Sequence, residues 1–442
     1  MFTVRNATLA DGRTRDVRVD TETGTVDAVG SRLQSEQTVD ARGSLLLPGM
    51  IDAHVHFRQP GDPQKETWAT GSRSAAAGGV TTVVDQPNTD PPTVDGAAFD
   101  EKTGYADDSL VDWGINGGVT RDWDPETLFD RPLFALGEVF LADSTGEMGI
   151  EESLFREAVE RATAADVVVT VHAEDATLFD ETARERDDAD AWSAFRTAEA
   201  EAAAAERAVA VGTELGAGVH VAHTSTPEGI DAAAAGGATC EVTPHHLFLS
   251  RDDLEELGTF GRMNPPLRSE ERRRAVFERV RDGTVDVVAT DHAPHTREEK
   301  DASVWDAPSG VPGVETALPL LLAAAGRDEL GYERVRDLTA LAPARVFDLP
   351  QKGRVESGRD ADLVLVDPEE TTDIRGADLH SKCGWTPFEG FEGVFPTWTM
   401  VRGQVVYADD DADLPADLAP EGEFGPARGA NVRDRARIRD GG

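Results

Sequence analysis

Eight short runs rich in Val, Thr and Ile alternate with Ala-, Glu- and Arg-rich helical patterns through the middle of this chain. That alternation limits the fold more than any other feature. The strand-like runs cover 50–56, 80–86, 113–119, 133–141, 167–173, 218–223, 238–243 and 286–291. Helical periodicity follows most of them, over 67–79, 97–106, 151–165, 192–215, 227–235, 269–282 and 314–325. Strands separated by helices pair in parallel rather than as hairpins. Eight such units over about 300 residues predict an α/β fold, a (β/α)8 barrel of the TIM type, with its functional groups at the C-terminal strand ends. An open doubly wound sheet fits less well, because no glycine-rich phosphate turn follows the first strand.

The two ends of the chain have another texture. Short strand-like pieces occur at 2–5, 16–19 and 25–29, and again at 353–356, 361–367 and 397–407. The simplest arrangement is a small β-sandwich domain built from both terminal segments, 1–47 and 351–408, beside a barrel domain at 48–350. Residues 409–442 run acidic to Glu423 and then Arg-rich, and are expected to form a mobile tail.

Charge narrows the setting and the partners. The chain has 84 Asp and Glu against 43 Lys and Arg, a net charge of −41, and only five of its basic residues are Lys. Such repulsion is tolerable where molar salt shrinks the Debye length to about 3 Å. The composition therefore reads as a cytoplasmic protein of a halophile, a haloarchaeon. A surface this negative excludes sequence-wide nucleic-acid binding. No run approaches the roughly 20 apolar residues of a membrane span, and the start has no secretory pattern. Cys240 and Cys383 give no disulfide framework.

The histidines sit where the barrel would use them. With the period of two along a strand, Asp52, His54 and His56 share a face at the end of the first strand. Glu138 lies near the end of the fourth, His172 ends the fifth, His223 the sixth and Asp291 the eighth. A barrel brings these four imidazoles and two carboxylates to one mouth, a set that suits zinc and similar transition metals. Two divalent ions about 3.5–4 Å apart would use that number of ligands. A single strand-end His is more often a hydrogen-bonded structural residue. That reading is preferred for His220 and His292, which fall on the outward phase of their strands. For His245 and His246, packing behind the site competes with ligation.

Several longer motifs now carry a resemblance. Asp52-Ala-His-Val-His-Phe-Arg-Gln-Pro-Gly61, Gln86-Pro-Asn-Thr89, Val242-Thr-Pro-His-His246, Met263-Asn-Pro-Pro-Leu-Arg268 and Ala289-Thr-Asp-His-Ala-Pro-His295 resemble the class I-like dihydroorotase family of the amidohydrolase superfamily. Gly313-Val-Glu-Thr, Ala361-Asp-Leu-Val and the segment 381–390 are similar to it too. A bare His-x-His marks only the superfamily; the longer motifs are more specific. The resemblance implies two divalent metal ions, zinc being the expected one. His54 and His56 would hold the first with Asp291 beside it, and His172 and His223 the second. Relatives bridge the ions with a carboxylated Lys or an acid. No Lys lies near the end of the fourth strand here, so Glu138 is the expected bridge and Asp143 the alternative.

The implied reaction is reversible cyclisation of N-carbamoyl-L-aspartate to dihydroorotate, with Asp291 as proton shuttle. Arg58, Asn88 and His295 would receive the substrate carboxylate, and His56 would also face the substrate. Asn264 and the loop at Ser309 and Gly310 would close over the ring. The competing readings are another cyclic amide hydrolase, such as an allantoinase or dihydropyrimidinase, and a non-catalytic scaffold on the same barrel. A homodimer is the default assembly.

Overall fold

The computed structural model describes residues 1–144, 148–410 and 412–434. Three barrel strands, Met50–Val55, Val80–Asp85 and Asp112–Ile115, form one parallel sheet. Five more, Leu136–Phe140, Val169–His172, Val219–Val221, Thr239–Val242 and Val287–Val288, form a second. Two parallel bridges, Gly117 with Leu136 and Val55 with His292, join the sheets on both sides. The eight strands thus close into the expected barrel, which leaves no exposed edge.

Helices Trp68–Ala77, Gly96–Ala106, Ala198–Leu215, Pro227–Gly236 and Glu270–Asp282 start at Thr67, Asp95, Thr197, Thr226 and Ser269, whose side chains accept the amide three residues on. The pattern expected as one helix over 192–215 is in fact two, Ala191–Phe195 and Ala198–Leu215. The break falls where Thr197 caps the second and the buried Arg196 guanidinium reaches Glu174 (Nη2 to Oε2, 2.5 Å).

The chain ends build one further sheet. Leu45–Pro48 pairs antiparallel with Leu363–Val366 and so stitches the N-terminal strands to Pro396–Val401 and Gln404–Ala408. On the other side lie Phe2–Leu9, Thr14–Asp20 and Thr25–Gly30, with Gln37–Asp40 paired to the first of these. Phe2, Val17, Leu46, Leu363, Trp398 and Met400 meet in a core separate from that of the barrel. The strand expected at 353–356 is absent: Gly353, at φ +78, turns the chain so tightly that a Cβ there would lie 2.4 Å from the Ala340 carbonyl oxygen.

The terminal segment also departs from expectation. Over its described residues it does not hang free. The amides of Arg428 and Gly429 donate to Ser109 O (3.0 and 2.8 Å), and Trp113 N donates to Ala430 O (3.0 Å). Val432 packs in one cluster with Phe134 and Phe347, and Arg433 Nη2 donates to Phe134 O (2.8 Å). Backbone pairing and several apolar anchors, Leu414, Leu418 and Phe424 besides Val432, hold a stretch whose composition reads as solvated. Residues 411 and 435–442 of that segment lie outside the described residues. No helix among the described residues is long and apolar enough to cross a membrane.

Barrel, sheet and terminal segment meet at one buried ion cluster. Lys352 Nζ lies 2.8 Å from Asp112 Oδ2, 2.5 Å from Asp362 and 3.5 Å from Asp360. Asp112 Oδ1 also accepts from Arg402 Nη2 (2.9 Å) and from Ala430 N (3.0 Å). Removing one partner of a buried ion cluster costs about 3–5 kcal/mol, because charges are left uncompensated. Lys352→Met should therefore lose that much in chemical denaturation at molar KCl; a loss below about 1 kcal/mol would contradict the role given to this cluster.

Candidate active site

At the C-terminal mouth, two groups of ligand-type side chains share one carboxylate. His54, His56 and Glu138 form the first, and Glu138, His172 and His223 the second, all buried and with ligand atoms within 4.8 Å of one another in each group. Glu138 Oε1 is 2.7 Å from His172 Nδ1 and 2.5 Å from His223 Nε2, while its Oε2 is 3.4 Å from His54 Nε2. Asp291 closes the set, with Oδ1 2.9 Å from His56 Nε2 and 3.7 Å from His54 Nε2. The six residues read from the strand ends thus converge. Asp143 does not join them. Its side chain is exposed and accepts from Gly149 N at 2.7 Å.

Backbone geometry explains why these side chains reach the centre. Gly137 precedes Glu138 at φ +136, and a Cβ there would sit 2.2 Å from Thr170 O. His223 (φ 32), Asp291 (φ 47) and Arg58 (φ 61) are non-glycine residues in the left-handed region. Each costs about 1–3 kcal/mol, which a rigid barrel can sustain at a functional site.

A second set of groups orients the rings; the sequence reading missed Glu241 and Glu174 and named Asn88 only for the substrate. Glu241 Oε1 accepts from His54 Nδ1 (2.6 Å), and its Oε2 accepts from His220 Nε2 (3.1 Å). Glu174 accepts from His172 Nε2 (2.9 Å) and is itself held by Arg196. Asn88 Oδ1 accepts from His56 Nδ1 (2.7 Å). Each bond ties one ring nitrogen to a group farther out and turns the other toward the centre, the arrangement that metal-binding imidazoles require. His54 Nε2 is indeed buried with no hydrogen-bond partner. The donor set therefore fits a divalent cation. His220, placed on the outward phase, turns inward through this contact, because the positive φ of His223 breaks the alternation after the sixth strand.

Electrostatics follow the same plan. Burial opposes ionisation of Glu138, but His223 and His54 outweigh it and hold its pKa well below the usual carboxylate value. Burial likewise opposes a charged His54, yet Glu241 and Glu138 raise its pKa well above normal. His172 is raised to about 9, with Glu138 and Glu174 outweighing burial. Asp291 stays below its usual pKa despite burial, through His56 and His54. His245, pushed down to about 4 by burial, and His246 stand outside both ligand groups. His246 bonds Thr243 and Pro265 O. His292 Nδ1 accepts from Gly313 N and Val314 N, a structural role.

Arg58, Asn88, Asn264, Ser309 and Gly310 line the pocket beside the histidines. His295 stands behind that wall, with Nε2 3.2 Å from Arg58 Nη2 and 3.0 Å from Ser309 O. A closed barrel with strand-end histidines on both sides of one acid defines the amidohydrolase class. The amidohydrolase family model matches residues 145–406, and the dihydro-orotase-like model matches 43–229. A dihydroorotase of Halobacterium salinarum is 71% identical over 93% of this chain and 97% of its own length. One from Methanosarcina mazei is 44% identical over 88% of this chain and 90% of its own. Among solved structures, an L-hydantoinase (dihydropyrimidinase) from Arthrobacter aurescens superposes with a TM-score of 0.89 at 28% identity, covering 97% of this chain and 99% of the other. The chain belongs to the dihydroorotase family. The haloarchaeal relative accords with the acid-rich composition.

Glu241 offers a direct check on the outer set. Glu241→Gln places an amide NH2 against an imidazole N–H, and divalent-metal affinity should fall about 10–100-fold. Unchanged affinity in a metal titration would show that Glu241 does not orient His54.

Proposed function

We propose that this chain is a dihydroorotase that interconverts N-carbamoyl-L-aspartate and (S)-dihydroorotate plus water, a step of pyrimidine synthesis. The observation that carries the reading is the single acid, Glu138, between two histidine pairs, with the Arg58 guanidinium in the same pocket wall. His54 and His56 would hold one divalent ion with Asp291 beside it, and His172 and His223 a second, with Glu138 shared; zinc is the expected metal. When bound, such ions lower the pKa of water and polarise an amide carbonyl.

The protein's own groups supply the rest. Asp291, kept ionised beside His56, takes the proton of the attacking water and returns it to the leaving ring nitrogen. Arg58 presents a planar charged fork to the substrate carboxylate, and Asn88 an amide. His295 acts through Arg58 and Ser309, which it touches. Asn264, held by Trp192 Nε1 at its Oδ1 (2.9 Å), closes over the ring with Ser309 and Gly310. The partner is a small anion, the setting is the cytoplasm, and a homodimer is the assembly we expect.

Cyclisation turns one carboxylate into part of a neutral ring and so consumes a proton. The ratio of dihydroorotate to N-carbamoyl-L-aspartate at equilibrium should rise about tenfold for each unit the pH falls between 8 and 6. A flat ratio would contradict this reaction. The likeness to hydantoinases makes an uncharged cyclic amide the second candidate substrate, and Arg58 separates the two. Arg58→Ala should lower kcat/KM for dihydroorotate by a hundredfold or more, about 3 kcal/mol of lost transition-state binding. Hydrolysis of a ring without a carboxylate should barely change; equal losses on both would favour the second reading.

A further inference from the structure

Three lysines of this chain are buried, and two have acidic partners. Lys102 Nζ lies 2.7 Å from Asp85, and Lys352 sits among its three aspartates. Lys300 is fully buried and is bonded instead to three backbone carbonyls: Arg262 O (2.9 Å), Pro308 O (2.9 Å) and Gly310 O (3.1 Å). Those three bonds use every proton of its ammonium group. The carboxylate next to it in sequence, Glu299, accepts from Thr296 and faces Lys65 (3.2 Å).

Two further cations share that environment. Arg262 donates from Nε to Ser309 Oγ (3.2 Å) and from Nη1 to Val304 O (2.6 Å). Arg58 donates from Nε to Pro294 O (3.3 Å). These bonds all end on neutral oxygens. Burial, followed by repulsion from Arg262 and Arg58, holds the Lys300 pKa well below its usual value. A chain of net charge −41 has thus gathered three cations, Arg58 and Lys300 buried and Arg262 half-buried, around one end of one pocket. Asp291 and Asp62 act on Arg58 and Asp306 on Arg262, yet among the described residues no carboxylate stands at ion-pair distance from any of the three, and buried charge so loosely compensated favours an arriving counter-charge.

The contacts also fix position. Gly310, at φ +133, approaches so closely that a Cβ would be 2.6 Å from Ala293 O, and its N–H donates to Arg262 O (3.0 Å). Lys300 therefore ties the Pro308–Gly310 turn to the segment that carries Asn264. We propose that Lys300 and Arg262 form a second rank of cations behind Arg58, positioning residues that set the pocket's preference for an anionic ring. The inference rests on the dihydroorotase reading and adds the source of its charge selectivity.

The test is competitive inhibition of the metal-loaded enzyme by two flat rings: orotate, which is anionic, and orotamide, its uncharged amide. Wild type should prefer orotate. Lys300→Met keeps the apolar stem and should narrow that preference at least ~10-fold through weaker orotate binding, with KM for N-carbamoyl-L-aspartate rising more than kcat falls. The half-buried Arg262→Gln should narrow it in the same sense, and it keeps the test open if Lys300→Met does not fold. Inhibition constants for both rings that move together would reveal a purely structural role and overturn the proposal. A wild type that turns over N-carbamoyl-L-aspartate without preferring the anion would overturn it as well. One that neither turns over this substrate nor binds orotate would overturn the reading on which it rests.

Discussion

A carboxylate cannot be buried inside a barrel without a reason, and the arrangement around Glu138 is that reason. The residue lies on an apolar strand and is 2% exposed. Moving an isolated ionised group out of water costs several kcal/mol at least. Three imidazoles on three other strands offset the charge, and those strands must therefore end at the same height. Two of these rings are oriented in turn by groups farther out: His54 by Glu241, which also holds His220, and His172 by Glu174, which Arg196 holds. The barrel's closure, its strand ends and its buried polar network thus all depend on the surroundings of one acid.

Strain is placed on the same ring of positions. Arg58, His223 and Asp291 hold backbone conformations that side chains rarely adopt, and each lies two or three residues beyond the end of a barrel strand. The positive φ lets the chain leave the strand direction and turn a side chain into the mouth. Such conformations persist only where packing over-determines them, and the fully buried strands beneath supply that packing. At the opposite end, the Lys352 cluster ties the barrel to the terminal sheet and to the chain's last described residues.

Much of this was legible in the sequence, because the signals were local. The in-phase His54 and His56, the strand and helix periods, and the strand-end positions of Glu138, His172, His223 and Asp291 needed only spacing. The resemblance of the longer motifs then ordered them into one site. What stayed hidden were partners set by long-range closure. His54 meets Glu241 187 residues away, and nothing near either residue announces the other. Glu174, two residues beyond His172, was the nearest to a visible signal, since it continues the same alternation. The terminal segment misled for another reason: its charged composition concealed Val432 and a backbone pairing with Trp113. Lys300 was one of only five lysines in the chain, and its rarity was a clue that spacing alone could not use.

In the proposed site, one acid, Glu138, stands between two cation positions. Anomalous scattering from crystals of the protein grown with zinc measures that arrangement directly. Two peaks about 3.5–4 Å apart are expected, with a Glu138 oxygen toward each and Asp143 turned away. A single peak, or a pair joined by Asp143 with Glu138 displaced, would contradict it.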